Sequence, residues 1–82
     1  MKEQDLIDLG FKKEVQEGNH EFESFYYYVY DFARGFSLIT NANDELINGE
    51  WVVEVFETSD KIQFTNIDNV KKLIKLINKA KK

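Results

Sequence analysis

Six aromatic rings fall within the eight residues Phe25-Tyr26-Tyr27-Tyr28-Val29-Tyr30-Asp31-Phe32, and no other segment of the 82-residue chain restricts its fold so tightly. Aromatic and β-branched residues favour strands, and successive side chains of a strand point to opposite faces. Large rings therefore stand on both sides of whatever sheet this segment joins. Phe22, Tyr26, Tyr28, Tyr30 and Phe32 share one face; Phe25, Tyr27 and Val29 share the other with Glu23 and Asp31. Phe and Val suit a core better than Tyr, which turns the second set inward, whereas Glu23 and Asp31 on that set argue the reverse. A slip of one residue exchanges the two sets, so both alternatives stand. In either, rings remain on the outward face, beside Val52 and Phe56 if the two strands are neighbours. An exposed patch of that kind marks a contact site; the competing reading is cross-strand aromatic pairing that only stabilises the sheet.

The length allows one domain, 1–82, that buries only about 60% of its unfolded surface, so large side chains must supply the core. Seven Phe, four Tyr and one Trp do so. The absence of Cys removes disulfides and thiolate chemistry and fits a reducing compartment. No apolar stretch approaches the roughly 20 residues of a membrane span, and the first residues do not read as a secretion leader. The expectation is a soluble, cytoplasmic protein without contact to membrane.

The boundaries follow from turn residues. Residues 2–9 form a short helix that Gly10 stops in the left-handed conformation. Strands are expected over 11–17, with Phe11 and Val15 on one side, and over 22–32, separated by a turn at Gly18-Asn19. Arg34-Gly35 reverses the chain into a strand over 36–41. A polar connection, 42–49, ends in the turn signal Asn48-Gly49. In 51–57, Trp51, Val53 and Val55 face one way and Val52, Glu54 and Phe56 the other. A short edge strand over 61–65 has Ile62 and Phe64 inward. Thr65 to Asp68 reads as an acidic capping box opening a helix. Its residues Ile67, Val70, Leu73, Ile74, Ile77 and Ala80 form a core-facing stripe, with Lys71, Lys72, Lys75, Lys79 and Lys82 on the opposite arc. The fold class is α+β: a mostly antiparallel five-stranded sheet, with the short N-terminal helix and the long amphipathic C-terminal helix on one face. If the first helix crosses to the other face instead, a three-layer sandwich results.

Charge is partitioned along the chain. Fourteen carboxylates face four cations through Asp60, a net of −10, and seven lysines face only Asp68 from Lys61 onward, a net of +6. Such a dipole steers association with charged partners, or simply keeps the fold soluble. Catalysis has little to rest on: His20 stands alone in a turn and there is no nucleophile–base pair. Glu50 and Glu54 sit about 13 Å apart along a strand, wide for paired acid–base carboxylates. Asn41, Asn43 and Glu45 echo a calcium loop, but Leu46 and Val52 occupy the positions of its glycine and its bidentate Glu. We expect no enzyme, no metal and no cofactor.

The expected partner surface comprises Tyr26, Tyr28, Tyr30 and Phe56 with the carboxylates of Asp44, Glu45, Glu50 and Glu54, directed at a protein with a basic surface. Carboxylates spaced like phosphates would occupy an Arg/Lys channel that normally holds nucleic acid. Two alternatives remain. The first is nucleic-acid binding through Lys71, Lys72, Lys75, Lys79 and Lys82, which lack the arginines and interleaved aromatics of such surfaces. The second is a homodimer through the aromatic face.

The segments Leu9-Gly10-Phe11, Phe25-Tyr26-Tyr27-Tyr28, Ile39-Thr40-Asn41-Ala42-Asn43-Asp44-Glu45 and Trp51-Val52-Val53-Glu54-Val55-Phe56 together resemble small uncharacterised proteins of phages and prophages. The resemblance implies a short inhibitor of host machinery, of the anti-CRISPR kind, acting by occupying a surface.

Overall fold

Five strands pair antiparallel in chain order, as short connections between consecutive strands require. The computed structural model describes residues 1–81: α1 (Glu3–Leu9), β1 (Lys12–Gln16), β2 (Phe25–Ala33), β3 (Phe36–Thr40), a 3-10 turn (Asn43–Glu45), β4 (Val53–Val55), β5 (Gln63–Phe64) and α2 (Ile67–Ala80). The α+β class and the number of strands are as the sequence predicts.

The ends of the elements show where local chemistry departs from the sequence pattern. Gly10 closes α1 at φ 95° and donates its N–H to the Ile7 carbonyl. Asn48 and Gly49 take φ of 56° and 73°, the two positive values that a tight hairpin turn needs, inside the bridge between Ile47 and Glu50. The aromatic strand starts at Phe25 and not at residue 22. The Asn19 side-chain oxygen accepts the N–H groups of Glu21 and Phe22, and the Asn19 N–H reaches the Phe22 carbonyl, so those polar groups are satisfied in the loop without a strand neighbour. β4 is shorter than the expected 51–57. The Asn41 side chain accepts the Val52 N–H on one side, and Glu57 turns to a φ of 58° on the other. The cap of α2 is Asn66, whose side chain accepts the Asp68 N–H at 2.8 Å, and not Thr65. Amides cap as well as hydroxyls, and Asn66 directly precedes the first helical residue, Ile67. Ile62 and Ala80 are exposed, not inward.

Tertiary packing decides which rings are core. Leu6 from α1, Leu38 and Val53 from the sheet and Val70 from α2 are fully buried, joined by Phe11, Tyr28, Phe32, Trp51 and Ile74. The even-numbered residues of β2 thus point toward both helices. Tyr26 and Tyr30 pack against the same cluster. Burying one such large apolar side chain contributes about 1.5 to 3 kcal/mol. The single buried polar side chain among the described residues, Thr40, accepts the Tyr28 N–H and donates to the Asn41 carbonyl, each at 2.9 Å. Both helices lie on one side of the sheet, and no helix among the described residues covers the other.

Candidate functional site

The tyrosines of β2 are placed opposite to their expected role. Tyr28 is 3% exposed, with its hydroxyl donating to the Glu3 carboxylate on α1. Tyr26 donates more weakly to the second oxygen of Glu3, at 3.4 Å, and the Tyr30 hydroxyl accepts from the Asn78 amide on α2 at 3.2 Å. Tyr26, Tyr28 and Tyr30 therefore belong to the covered face, a correction to the expected partner surface. A phenol is a poor core residue only while its hydroxyl lacks a partner. The helices supply those partners from positions far along the chain. Burial is the main cause that pushes the Tyr28 hydroxyl above its ordinary pKa, reinforced by the adjacent Glu3 carboxylate; Tyr26 is raised for the same reasons. Edge-on contacts of Tyr28 with Trp51 and Tyr26, with centroids 5.4 and 6.2 Å apart, complete the cluster.

The odd-numbered residues of β2 face the other way, and the strand register assembles them into rows. The central row crosses all five strands as Lys12, Val29, Ile39, Glu54 and Gln63. On one side of it lie Glu14 and Tyr27, continued by Asn41 and Val52. Beyond those are Gln16 and Phe25. On the other side lie Asp31 and Ser37, continued by Phe56, whose N–H donates to the Ser37 carbonyl. Phe25, Tyr27, Val29, Ile39 and Val52 are half-buried and Phe56 is exposed, so this face is an apolar strip open to solvent. Carboxylates border it: Glu14, Asp31 and Glu54 lie on the face itself, and Asp44 and Glu45 line a recess of about 310 Å³ beside Phe25. The cation of the central row, Lys12, is drawn to Glu14 at 4.0 Å.

Of the expected partner residues, Glu54 and Phe56 lie on this open face and Asp44 and Glu45 stand at its end. Glu54 accepts a hydrogen bond from the Gln63 amide at 3.0 Å. Glu45 caps its own 3-10 turn by accepting the Ala42 N–H at 3.2 Å. Glu50 does a different job: its carboxylate holds the Met1 ammonium at 2.6 Å and lies 3.6 Å from the Lys2 ammonium. It is already engaged by two cations, while its side chain stays 49% exposed. Sequence reasoning overlooked Ile39 at the centre of the strip. Its signal was the alternation of Ser37 and Ile39 against Leu38 and Thr40, readable only once Leu38 is known to be core. Lys71, Lys72, Lys75 and Lys79 are exposed on the outer side of α2, and Lys82 lies outside the described residues. His20 is exposed in the loop after β1, and no group of three metal-ligating side chains gathers among the described residues.

The hydrogen bond from the Met1 ammonium is the main cause that holds the Glu50 carboxyl below its ordinary value of 4.5, followed by the charges of that ammonium and of Lys2. A folded-state pKa that is lowered adds stability present above pH 4.5 and lost as the pH falls through the folded value. Thermal melts of the native chain and of Glu50→Gln should therefore differ near neutrality and converge in acid. A gap that persists at pH 2 to 3 contradicts the ionic origin of the contact.

Comparison with protein-family models, with curated proteins and with solved structures returned no match. No helix among the described residues is long and apolar enough to cross a membrane.

Proposed function

We propose that the chain is a small, non-enzymatic protein-binding module whose open sheet face takes a basic protein surface. The observation that carries this reading is the uncovered strip of Phe25, Tyr27, Val29, Ile39, Val52 and Phe56 bordered by Glu14, Asp31, Glu54, Asp44 and Glu45. An apolar strip gives affinity by burial, and carboxylates around it select partners of opposite sign and speed their approach. Sites of nucleic-acid-handling and defence proteins are lined with Arg and Lys to hold phosphates. A carboxylate-bordered face is complementary to such a lining, so surface occupation of a host protein of that class, as a phage-encoded inhibitor works, is the action we propose. A cytoplasmic location accords with the cysteine-free composition.

The test is affinity capture from a lysate of the source cells, comparing the native chain with Ile39→Lys and with Lys75→Glu. Ile39→Lys puts a charge in the middle of the strip and should abolish recovery of a basic partner, while Lys75→Glu on α2 leaves it intact. The opposite pattern, together with nuclease-sensitive retention of DNA or RNA that Lys75→Glu weakens, would establish the nucleic-acid alternative in its place.

A further inference from the structure

We infer that copies of this chain stack head to tail, with the lysine side of α2 in one copy seated on the open sheet face of the next. The inference rests on the reading of that face as a site for basic surfaces and adds the chain itself as an occupant. α2 lies on the covered side of the sheet with its lysines turned outward, so the basic patch and the acidic strip sit on opposite sides of one thin plate. The outer side of α2 is not a plain solvated surface. Leu76 is 66% exposed there, and with Lys72, Lys75 and Lys79 it lines a shallow depression of about 220 Å³. An apolar side chain ringed by cations is the complement of Val29 and Ile39, which Glu14, Asp31 and Glu54 flank, with the cation of that row, Lys12, drawn to Glu14.

The dimensions agree. Lys71 and Lys79 are eight residues apart, a span of about 12 Å at 1.5 Å per residue. Glu14 and Glu54 stand on β1 and β4 in neighbouring rows, three strand spacings across the sheet and two residues along it, about 16 Å apart and within the reach of long lysine side chains. Two open faces pressed together would set these carboxylates against their own copies, which disfavours the symmetric dimer and leaves the helix of a second copy as the matching surface. Because the two patches are different, each contact leaves one of each unused, and the assembly grows as an open stack unless its rotation closes a ring.

Sedimentation velocity over a concentration series tests this. At about 10 mM salt, where charges act over about 30 Å, the weight-average mass should rise with concentration beyond that of a dimer; at about 1 M salt, where they act over about 3 Å, it should return to the monomer. Two double variants sharpen the test, each first checked for native circular dichroism. Lys75→Glu with Leu76→Asp spoils only the helix side, and Glu14→Lys with Glu54→Lys spoils only the sheet side. Each alone should stay monomeric, and their mixture should regain a mass above the monomer, because the intact sheet face of the first takes the intact helix of the second. If either double variant does not fold, the single substitution Leu76→Asp, on an exposed position, carries the test and should give a monomer at low salt. A native chain that is monomeric at every concentration in low salt overturns the inference, as does a mass unchanged by Leu76→Asp. A monomeric native chain whose partner recovery still depends on Ile39 would leave the proposed function standing. Stacking without any foreign partner would do the reverse.

Discussion

Tyr28→Ala should remove a large share of the protein's stability. Removing a large buried ring costs about 3 to 5 kcal/mol, and this ring is 3% exposed against Trp51, Tyr26 and the first helix. A chain of 82 residues has a total stability of about 4 to 12 kcal/mol, with a small core placing it toward the lower end. The substitution also strips Glu3 of its strongest hydrogen-bond donor. Urea titration followed by Trp51 fluorescence would show a midpoint moved toward zero denaturant. Tyr28→Phe should keep the ring and lose only the hydrogen bond to the carboxylate, about 1 to 2 kcal/mol. A native-like midpoint for Tyr28→Ala would mean that the odd-numbered rings form the core instead.

Tyr27→Ala, one residue away, should do the opposite. The Tyr27 side chain is half-buried on the open face, and its hydroxyl takes only a 3.4 Å contact from the exposed Gln16 amide. Stability should therefore change by less than about 1 kcal/mol. Binding should change far more. A tyrosine near the middle of an interface is the residue type that most often acts as an anchor, and an anchor worth about 2 kcal/mol weakens the complex about 30-fold. Calorimetric titration against the recovered partner, with a thermal melt of the same variant, separates the two effects. An affinity unchanged within about twofold, corresponding to roughly 0.4 kcal/mol, would remove the strip from the interface.

The opposed outcomes for neighbouring tyrosines show how far the sequence could be read. Alternation along residues 25–32 established that rings must occupy both faces. The 3.6-residue stripe of Ile67, Val70, Leu73, Ile74 and Ile77 placed the long helix, and Gly10 and Asn48-Gly49 marked a helix end and a hairpin turn. These are local properties, governed by side-chain period and by which residues tolerate positive φ.

What local chemistry left open was the choice between two sets of rings that differ by one residue of register. Tyr28 looks like a surface residue until Glu3, 25 residues earlier, is seen to accept a hydrogen bond from its hydroxyl, and Tyr30 until Asn78, 48 residues later, donates to it from α2. Glu50 looks like a free carboxylate until the Met1 ammonium, 49 residues away, arrives beside it. The amino-acid order alone determined the elements, their antiparallel succession and the charge separation between the first sixty residues and the rest. Only the tertiary structure decided which side of the sheet both helices cover, because burying a polar group depends on partners that the fold brings from elsewhere in the chain.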